Sequence, residues 1–243
     1  MHVYIYDNLL DSQKHNNLLA KIETRITDLG LNGKIIRLNP MHNIKKTILD
    51  EAKPGRTLIL VGGDKLFNEA LAILAYKEIP IGYIPFFPNQ PLADALGIPY
   101  NTAACDVIAA RRLLKIDLAS ANDKIFLAEL SLTSVHNLVD LNNNLKIEIE
   151  GNNSIKIINL PLSNNFQGSN PFDGILELKI ITKQKNNIFR KKSESLSLFS
   201  NDTFVINSND SAVIDKCQII SAPINVNVLK NAVEVIVGKD RRF

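Results

Sequence analysis

The residues with the clearest chemical potential lie in one short stretch, Arg56 to Leu74, RTLILVGGDKLFNEALAIL. Leu58-Ile59-Leu60-Val61 is an apolar run bounded by Lys53-Pro54-Gly55 on one side and Gly62-Gly63 on the other. That is the pattern of a buried, parallel strand. Gly62-Gly63-Asp64 breaks it, and Leu66, Ala70, Ile73 and Leu74 then recur at helical spacing with Asn68 and Glu69 in the first turn. A strand, a glycine turn and a helix opening towards the turn make an anion site. The helix N-terminus offers unpaired N–H groups and partial positive charge, and glycine lets a phosphate approach the backbone. Lys65 could add a cation there; the plainer reading is a solvated lysine. Glycine turns of this kind also occur in α/β crossovers that bind nothing, so both readings stand at this point.

A second chemical feature is the run from Lys183 to Lys192, KQKNNIFRKK. Lys183, Lys185, Arg190, Lys191 and Lys192 could pair with anionic headgroups while Ile188 and Phe189 insert. The alternative is a solvated hairpin loop. His2, His15, His42 and His136 are scattered without ligand spacing, and Cys105 and Cys217 form no metal motif. Two reduced thiols in a cytoplasmic protein is the simplest reading.

Composition narrows the classes. The chain has 243 residues, 45% hydrophobic and 22% charged, enough for one large domain or two ordinary ones. A net charge of +3 is too small for a dedicated nucleic-acid binder, so no nucleic-acid partner is expected. MHVYIYDNLL lacks the basic and apolar regions of a signal peptide. No run approaches the ~18 apolar residues of a membrane span, so membrane contact would be peripheral, on the inner surface.

The elements that must position these residues alternate through the first half. His2–Tyr6 reads as a strand, Leu18 to Leu29 as an amphipathic helix, Lys34–Leu38 as a strand, and Ile44, Ile48 and Leu49 as a helix. The glycine-turn unit follows, then Ile79–Phe87 as a strand broken by proline, and a helix over Thr102 to Leu114. This order predicts an open, mostly parallel α/β sheet with helices on both faces. Ligands of such sheets sit at the carboxyl ends of the strands, where Gly62 to Asp64 and Phe87 to Pro91 fall. From Ile116 the pattern becomes strand-like: Lys124–Leu127, Leu145–Ile149, Ile155–Leu160, Ile175–Ile181, Thr203–Ile206, Val213–Ile220, Ile224–Leu229 and Val233–Val237. Short runs separated by Asn, Gly and Ser clusters predict an antiparallel, sandwich-like all-β domain. The expected division is 1–117 and 118–243, with the closing strands packing back towards the first domain.

The order Val61-Gly62-Gly63-Asp64 with Asn68-Glu69, Ile84-Pro85, Leu96-Gly97-Ile98-Pro99, Ile116-Asp117-Leu118 with Lys124-Ile125-Phe126-Leu127, and Asp173-Gly174-Ile175-Leu176 resembles the diacylglycerol kinase catalytic-domain family. That family includes bacterial lipid kinases and sphingosine kinases. The resemblance spans nearly the whole chain. It implies ATP-dependent phosphorylation of a lipid hydroxyl, with ATP and Mg²⁺ as cofactors. Gly62, Gly63, Asp64, Lys65, Asn68 and Glu69 would hold the nucleotide. The family's DGE segment aligns with Asp215-Lys216-Cys217, which puts Cys217 at the position of the base; Asp215 and Asp210 are the carboxylates near it. A structural Mg²⁺ would take Asp173 with the backbone carbonyls of Asn170 and Ile175. On the residues alone, Asp173-Gly174 is equally a turn before a strand.

The chain departs from the family where its chemistry sits. The family's GGDGTLNE becomes Gly62-Gly63-Asp64-Lys65-Leu66-Phe67-Asn68-Glu69, which loses a glycine and a hydroxyl. GTGNDFA becomes Phe87-Pro88-Asn89-Gln90-Pro91-Leu92-Ala93, where two prolines remove backbone N–H donors. A thiol at Cys217 is a poor base for an alcohol. The expectation is therefore a lipid kinase-like protein with impaired catalysis, a pseudokinase. Two alternatives are a non-catalytic interaction protein with an empty cleft and no cofactor, and an NAD kinase-like nucleotide binder. A homodimer and an anionic membrane surface are the partners left open.

Overall fold

The computed structural model describes residues 1–41, 43–141, 145–162, 169–183 and 194–243. Its contacts divide the chain into two compact units. The first comprises Met1–Ile116, Leu162 and the closing segment Asn231–Phe243, and the second runs from Asp117 to Lys230.

In the first unit, β1 (His2–Tyr6), α1 (Asn16–Asp28), β2 (Gly33–Arg37), α2 (Ile44–Glu51), β3 (Thr57–Gly62), α3 (Asp64–Leu74) and β4 (Ile81–Pro85) follow in sequence. The short α4 (Pro91–Ala95) and α5 (Thr102–Ala110) complete it. The strands lie parallel in the order β4-β3-β1-β2. The chain steps from β1 to β2 on one side and resumes with β3 on the other, so a topological switch point lies between β1 and β3. Every residue of β3 is buried, which is why it reads as an unbroken apolar run. Phe67 and Tyr83 stack with ring centroids 4.5 Å apart, both fully buried, anchoring α3 on β4. Side chains of this size each contribute roughly 1.5–3 kcal/mol by leaving water.

The helix expected over Thr102 to Leu114 stops at Ala110. Arg111 takes a left-handed conformation (φ 46°), and its N–H closes onto the carbonyls of Val107 and Ile108. Leu113 and Leu114 instead open β5 (Leu113–Ala121), whose buried Ile116, Leu118 and Ala119 pack with strand neighbours. Sheet pairing over the next nine residues outweighs a final helical turn with weak local support.

The second unit is antiparallel. β6 (Lys124–Phe126) pairs with β5, and β7 (Glu129–Leu141) forms a long hairpin with β8 (Leu145–Ile158). β9 (Leu176–Lys183) and β10 (Glu194–Asn201) extend that sheet from β8. On the other side of β7 lie β11 (Thr203–Ser208) and the hairpin β12 (Ser211–Ile214)–β13 (Gln218–Ser221). β14 (Ile224–Ile236) pairs with β11 and carries on into the first unit, where Val235 lies parallel beside Ile81. Leu130, Leu132, Val139, Ile155, Ile157, Leu178, Phe204, Ile206 and Val226 point inward to one core. Two expected pairs of strands are single long strands, β8 and β14. The expected strand at Val213–Ile220 is a hairpin, because Asp215 and Lys216 both take positive φ and Cys217 N–H closes onto Ile214 O at 2.9 Å. β7 and β10 are absent from the expected strands although both carry the period-2 alternation of a half-buried strand. Their apolar residues alternate with polar ones instead of forming runs.

Candidate functional site

At the carboxyl edge of the first unit's sheet, the ends of β1, β3 and β4 are tied together. Asp7 N–H donates to Val61 O at 2.9 Å, and Phe86 N–H donates to Gly62 O at 2.8 Å. The exits from three strands therefore converge on the glycine turn. Asp7, placed by β1, lies against Gly62: a Cβ there would stand 2.6 Å from Asp7 Cβ and 2.9 Å from Asp7 Oδ2. Gly62 is required by this close approach and not by a φ that only glycine adopts. Gly63 caps α3 with φ −107° and ψ 168° and no side-chain hydrogen bond. A Cβ on Gly63 would meet Gln90 Oε1 at 3.3 Å and Phe87 Cδ2 at 3.6 Å. Phe86, Phe87 and His15 form an edge-on cluster at the same end, with His15 5.0 Å from the Phe86 ring centroid and 5.8 Å from that of Phe87.

The first N–H of α3, on Asp64, donates to Gln90 Oε1. The Asp64 carboxylate in turn caps α4: Oδ2 accepts from Leu92 N–H at 2.9 Å, and Oδ1 accepts from Tyr83 Oη–H at 3.1 Å. Gln90 is held by its own bonds, its side-chain amide donating to Pro88 O at 3.1 Å and its backbone N–H to Tyr100 Oη at 3.0 Å. Tyr100 Oη donates to Asp94 Oδ1 at 3.0 Å. Burial pushes the Asp64 carboxyl up from 3.8 to about 6, partly offset by the Leu92 and Tyr83 bonds. The same burial, with Asp64 beside it, keeps the Tyr83 phenol protonated far above its usual range.

The remaining residues of the stretch divide by face. Lys65 is exposed. Leu66 is buried at 4% exposure and packs in the core. Asn68 is buried with Oδ1 lacking a partner, and Glu69 is half-buried. Asp7 and Gln90 were not singled out in the sequence. Gln90 stands at the N-cap position of α4 without a side-chain bond to that helix, so no local pattern signals its bond to the first N–H of α3.

Within the second unit, Asp215 is 8% exposed and fully engaged. Its Oδ1 accepts from Ala128 N–H at 3.0 Å and Glu129 N–H at 2.8 Å, and its Oδ2 accepts from Leu127 N–H at 3.0 Å. Cys217 is exposed one turn away. Asp210 lies exposed in the β11–β12 connection, with its N–H on Ser208 Oγ at 3.1 Å. Asp173 is exposed, and its Oδ1 accepts from Ile175 N–H at 2.9 Å. The Asp173 N–H reaches Asn170 O at 3.4 Å. Next to Asp215, Glu129 is 6% exposed, and both its oxygens take Lys156 Nζ at 2.9 Å. Among the described residues no three His, Cys, Asp or Glu side chains gather closely enough to hold a metal ion. Lys185, Ile188, Phe189, Arg190, Lys191 and Lys192 lie outside the described residues. Lys183 closes β9. No helix among the described residues is long and apolar enough to cross a membrane.

A parallel sheet with a glycine turn beside its switch point, followed by an antiparallel β unit, is the architecture of the diacylglycerol kinase-like class. Residues 3–121 match the diacylglycerol kinase catalytic domain, so the first half of the chain is like that family's catalytic domain. Solved structures from Bacillus anthracis str. Sterne are similar over nearly the full length. One named as a diacylglycerol kinase has a TM-score of 0.80 at 18% identity, covering 98% of this chain and 97% of that one. Another, whose name proposes the same activity, has a TM-score of 0.79 at 16% identity with the same coverage. At these identities the likeness is one of fold. A comparison with curated proteins gave no match.

Proposed function

We propose that this chain is a lipid kinase-family protein whose phosphate turn is closed from within, so that it transfers phosphate poorly or not at all. The observation that carries this reading is Gln90 Oε1 on the first N–H of α3, the donor a phosphate would otherwise take. Asp7 adds a carboxylate against Gly62, and like charge opposes an anion there. In the family these positions would serve ATP, which supplies the phosphoryl group, and a divalent ion that neutralises it. The residues present do not fit a triphosphate: the leading donor is taken, Lys65 points to solvent, and Leu66 is in the core. Two of the three candidate base positions fare similarly, since Asp215 already accepts three backbone bonds and Cys217 is a thiol, whereas Asp210 is an exposed carboxylate.

Titration with Mg·ATP to millimolar concentration is expected to give no calorimetric binding signal. Incubation with labelled ATP and diacylglycerol vesicles is expected to give no labelled lipid. Robust turnover would refute the closed-turn reading. Opening the turn provides the positive arm. Asp7→Asn combined with Gln90→Ala is expected to raise affinity for inorganic tripolyphosphate by about tenfold, because one like charge and one competing acceptor are gone. Unchanged affinity would remove Asp7 and Gln90 from the argument.

For Asp173, with the carbonyls of Asn170 and Ile175, the bonds within the segment favour a self-sufficient turn over a magnesium site. Dialysis against EDTA is expected to leave the thermal midpoint unchanged. A fall of several degrees, reversed by Mg²⁺, would restore the metal reading.

A further inference from the structure

We infer that the outer face of the second unit's sheet, where β7 bulges, binds a neutral polyhydroxylated ring of the hexose class. The register shows how the site is built. Before the bulge Leu130 and Leu132 belong to the core, and after it Val139 and Leu141 do. The register shift between Ser134 and His136 has therefore exchanged the faces of β7, as an extra residue in one strand must. Leu138 consequently stands on the outer face. It lies opposite Glu148 of β8 on one side and Asn207 of β11 on the other. Pro223 comes next across the sheet, since its neighbour Ile224 pairs with Ile206. One outward row thus reads Glu148, Leu138, Asn207, Pro223. His136 follows the bulge, and Asn209 sits in the break between β11 and β12. These six side by side line a concavity of about 480 Å³, within the range of small-molecule sites. Polar outward positions are ordinary in an antiparallel sheet, but a half-buried leucine in their midst, within a concavity, is not.

The lining selects the ligand. Leu138 and Pro223 supply apolar surface for the C–H face of a ring. Around them stand a carboxylate, two carboxamides and an imidazole, which between them accept and donate. Hydroxyls suit such a set, because each of them does both. Among the described residues of the lining there is no Lys or Arg, and the Glu148 carboxylate repels phosphates and carboxylates. His136 is the one ring among them, so a nucleobase would find no aromatic pair to stack between. The inference stands apart from the reading of the α3 turn, because it needs no nucleotide and no residue of the first unit.

The test is a titration of the isotope-labelled protein with glucose, mannose and galactose, followed by backbone amide shifts. Amides of residues 136–138, 148 and 207–209 are expected to shift and to saturate in the millimolar range, as a small neutral ligand in an open site allows. The three sugars are expected to differ by about threefold or more, because moving one hydroxyl removes a hydrogen bond. Asn207→Ala and Glu148→Ala, both at exposed side chains, are each expected to weaken binding by about threefold to tenfold with the melting midpoint unchanged. Lys146→Ala, at an exposed residue outside the lining, is expected to bind as the parent does. Shifts that never saturate, three sugars that bind alike, or undiminished binding by both lining variants overturn the proposal. So does tighter binding of inorganic phosphate at the same amides, since that result makes the concavity an anion site.

Discussion

Asp215→Ala is expected to destabilise the protein by about 3–5 kcal/mol, read as a shift of the urea midpoint for the β unit. The reason lies in what the carboxylate holds. Backbone N–H groups of Leu127, Ala128 and Glu129 all converge on it, at 2.8 to 3.0 Å. With the side chain truncated, three donors lose their acceptor in a site that is 8% exposed, and each unsatisfied donor costs about 1–3 kcal/mol. Partial entry of water keeps the total below the simple sum. Asp215→Asn retains one oxygen and tolerates the φ of 45°, so it is expected to cost about half as much. Cys217→Ser, two residues on and exposed, is expected to change stability by less than about 0.5 kcal/mol. Should Asp215→Ala fold with parental stability, the carboxylate is not a scaffold and its candidacy as a base returns.

The second large effect is a pH dependence at Asp64. Its carboxyl is pushed up from 3.8 to about 6, chiefly by burial, so the folded state favours the neutral form. Between those values the folded chain binds more protons than the unfolded one, and stability therefore falls as pH rises from about 4 to about 6. Below that window the contribution is fully present, and above it the loss is complete. A shift of this size corresponds to about 3 kcal/mol for a fully dry group. Asp64 is only partly shielded from solvent, so about 1–2 kcal/mol is expected. Asp64→Asn cannot ionise but can still cap Leu92 N–H and face Tyr83. The stability of parent minus variant, measured by urea unfolding from pH 4 to pH 7.5, isolates this one group. That difference should decline by about 1–2 kcal/mol across the window, and a flat difference would mean that the carboxyl is not perturbed.

The class of this protein was legible in its residues because period and punctuation carry it. The unbroken apolar run of β3, the glycines after it and the helical spacing of α3 are local patterns, and local sterics and hydrophobic burial enforce them wherever the chain goes. The change to strand-like runs after Ile116 marked the antiparallel half for the same reason. The departures at Lys65, Leu66 and Phe87 to Pro91 were equally plain, since a missing glycine or hydroxyl needs no coordinates to be noticed. Tertiary structure alone decided who occupies the phosphate turn. Asp7 and Gln90 stand far from Gly62 in sequence, and only the parallel pairing of β1, β3 and β4 brings their side chains against it. The role of Asp215 depended on the fold in the same way. Its carboxylate meets the N–H groups of residues 127–129 across β7 and β12, and no spacing in the chain encodes that contact. Propensity and burial act between near neighbours and set the elements, whereas the acceptor on a helix's first N–H is set by whichever distant loop the sheet delivers there.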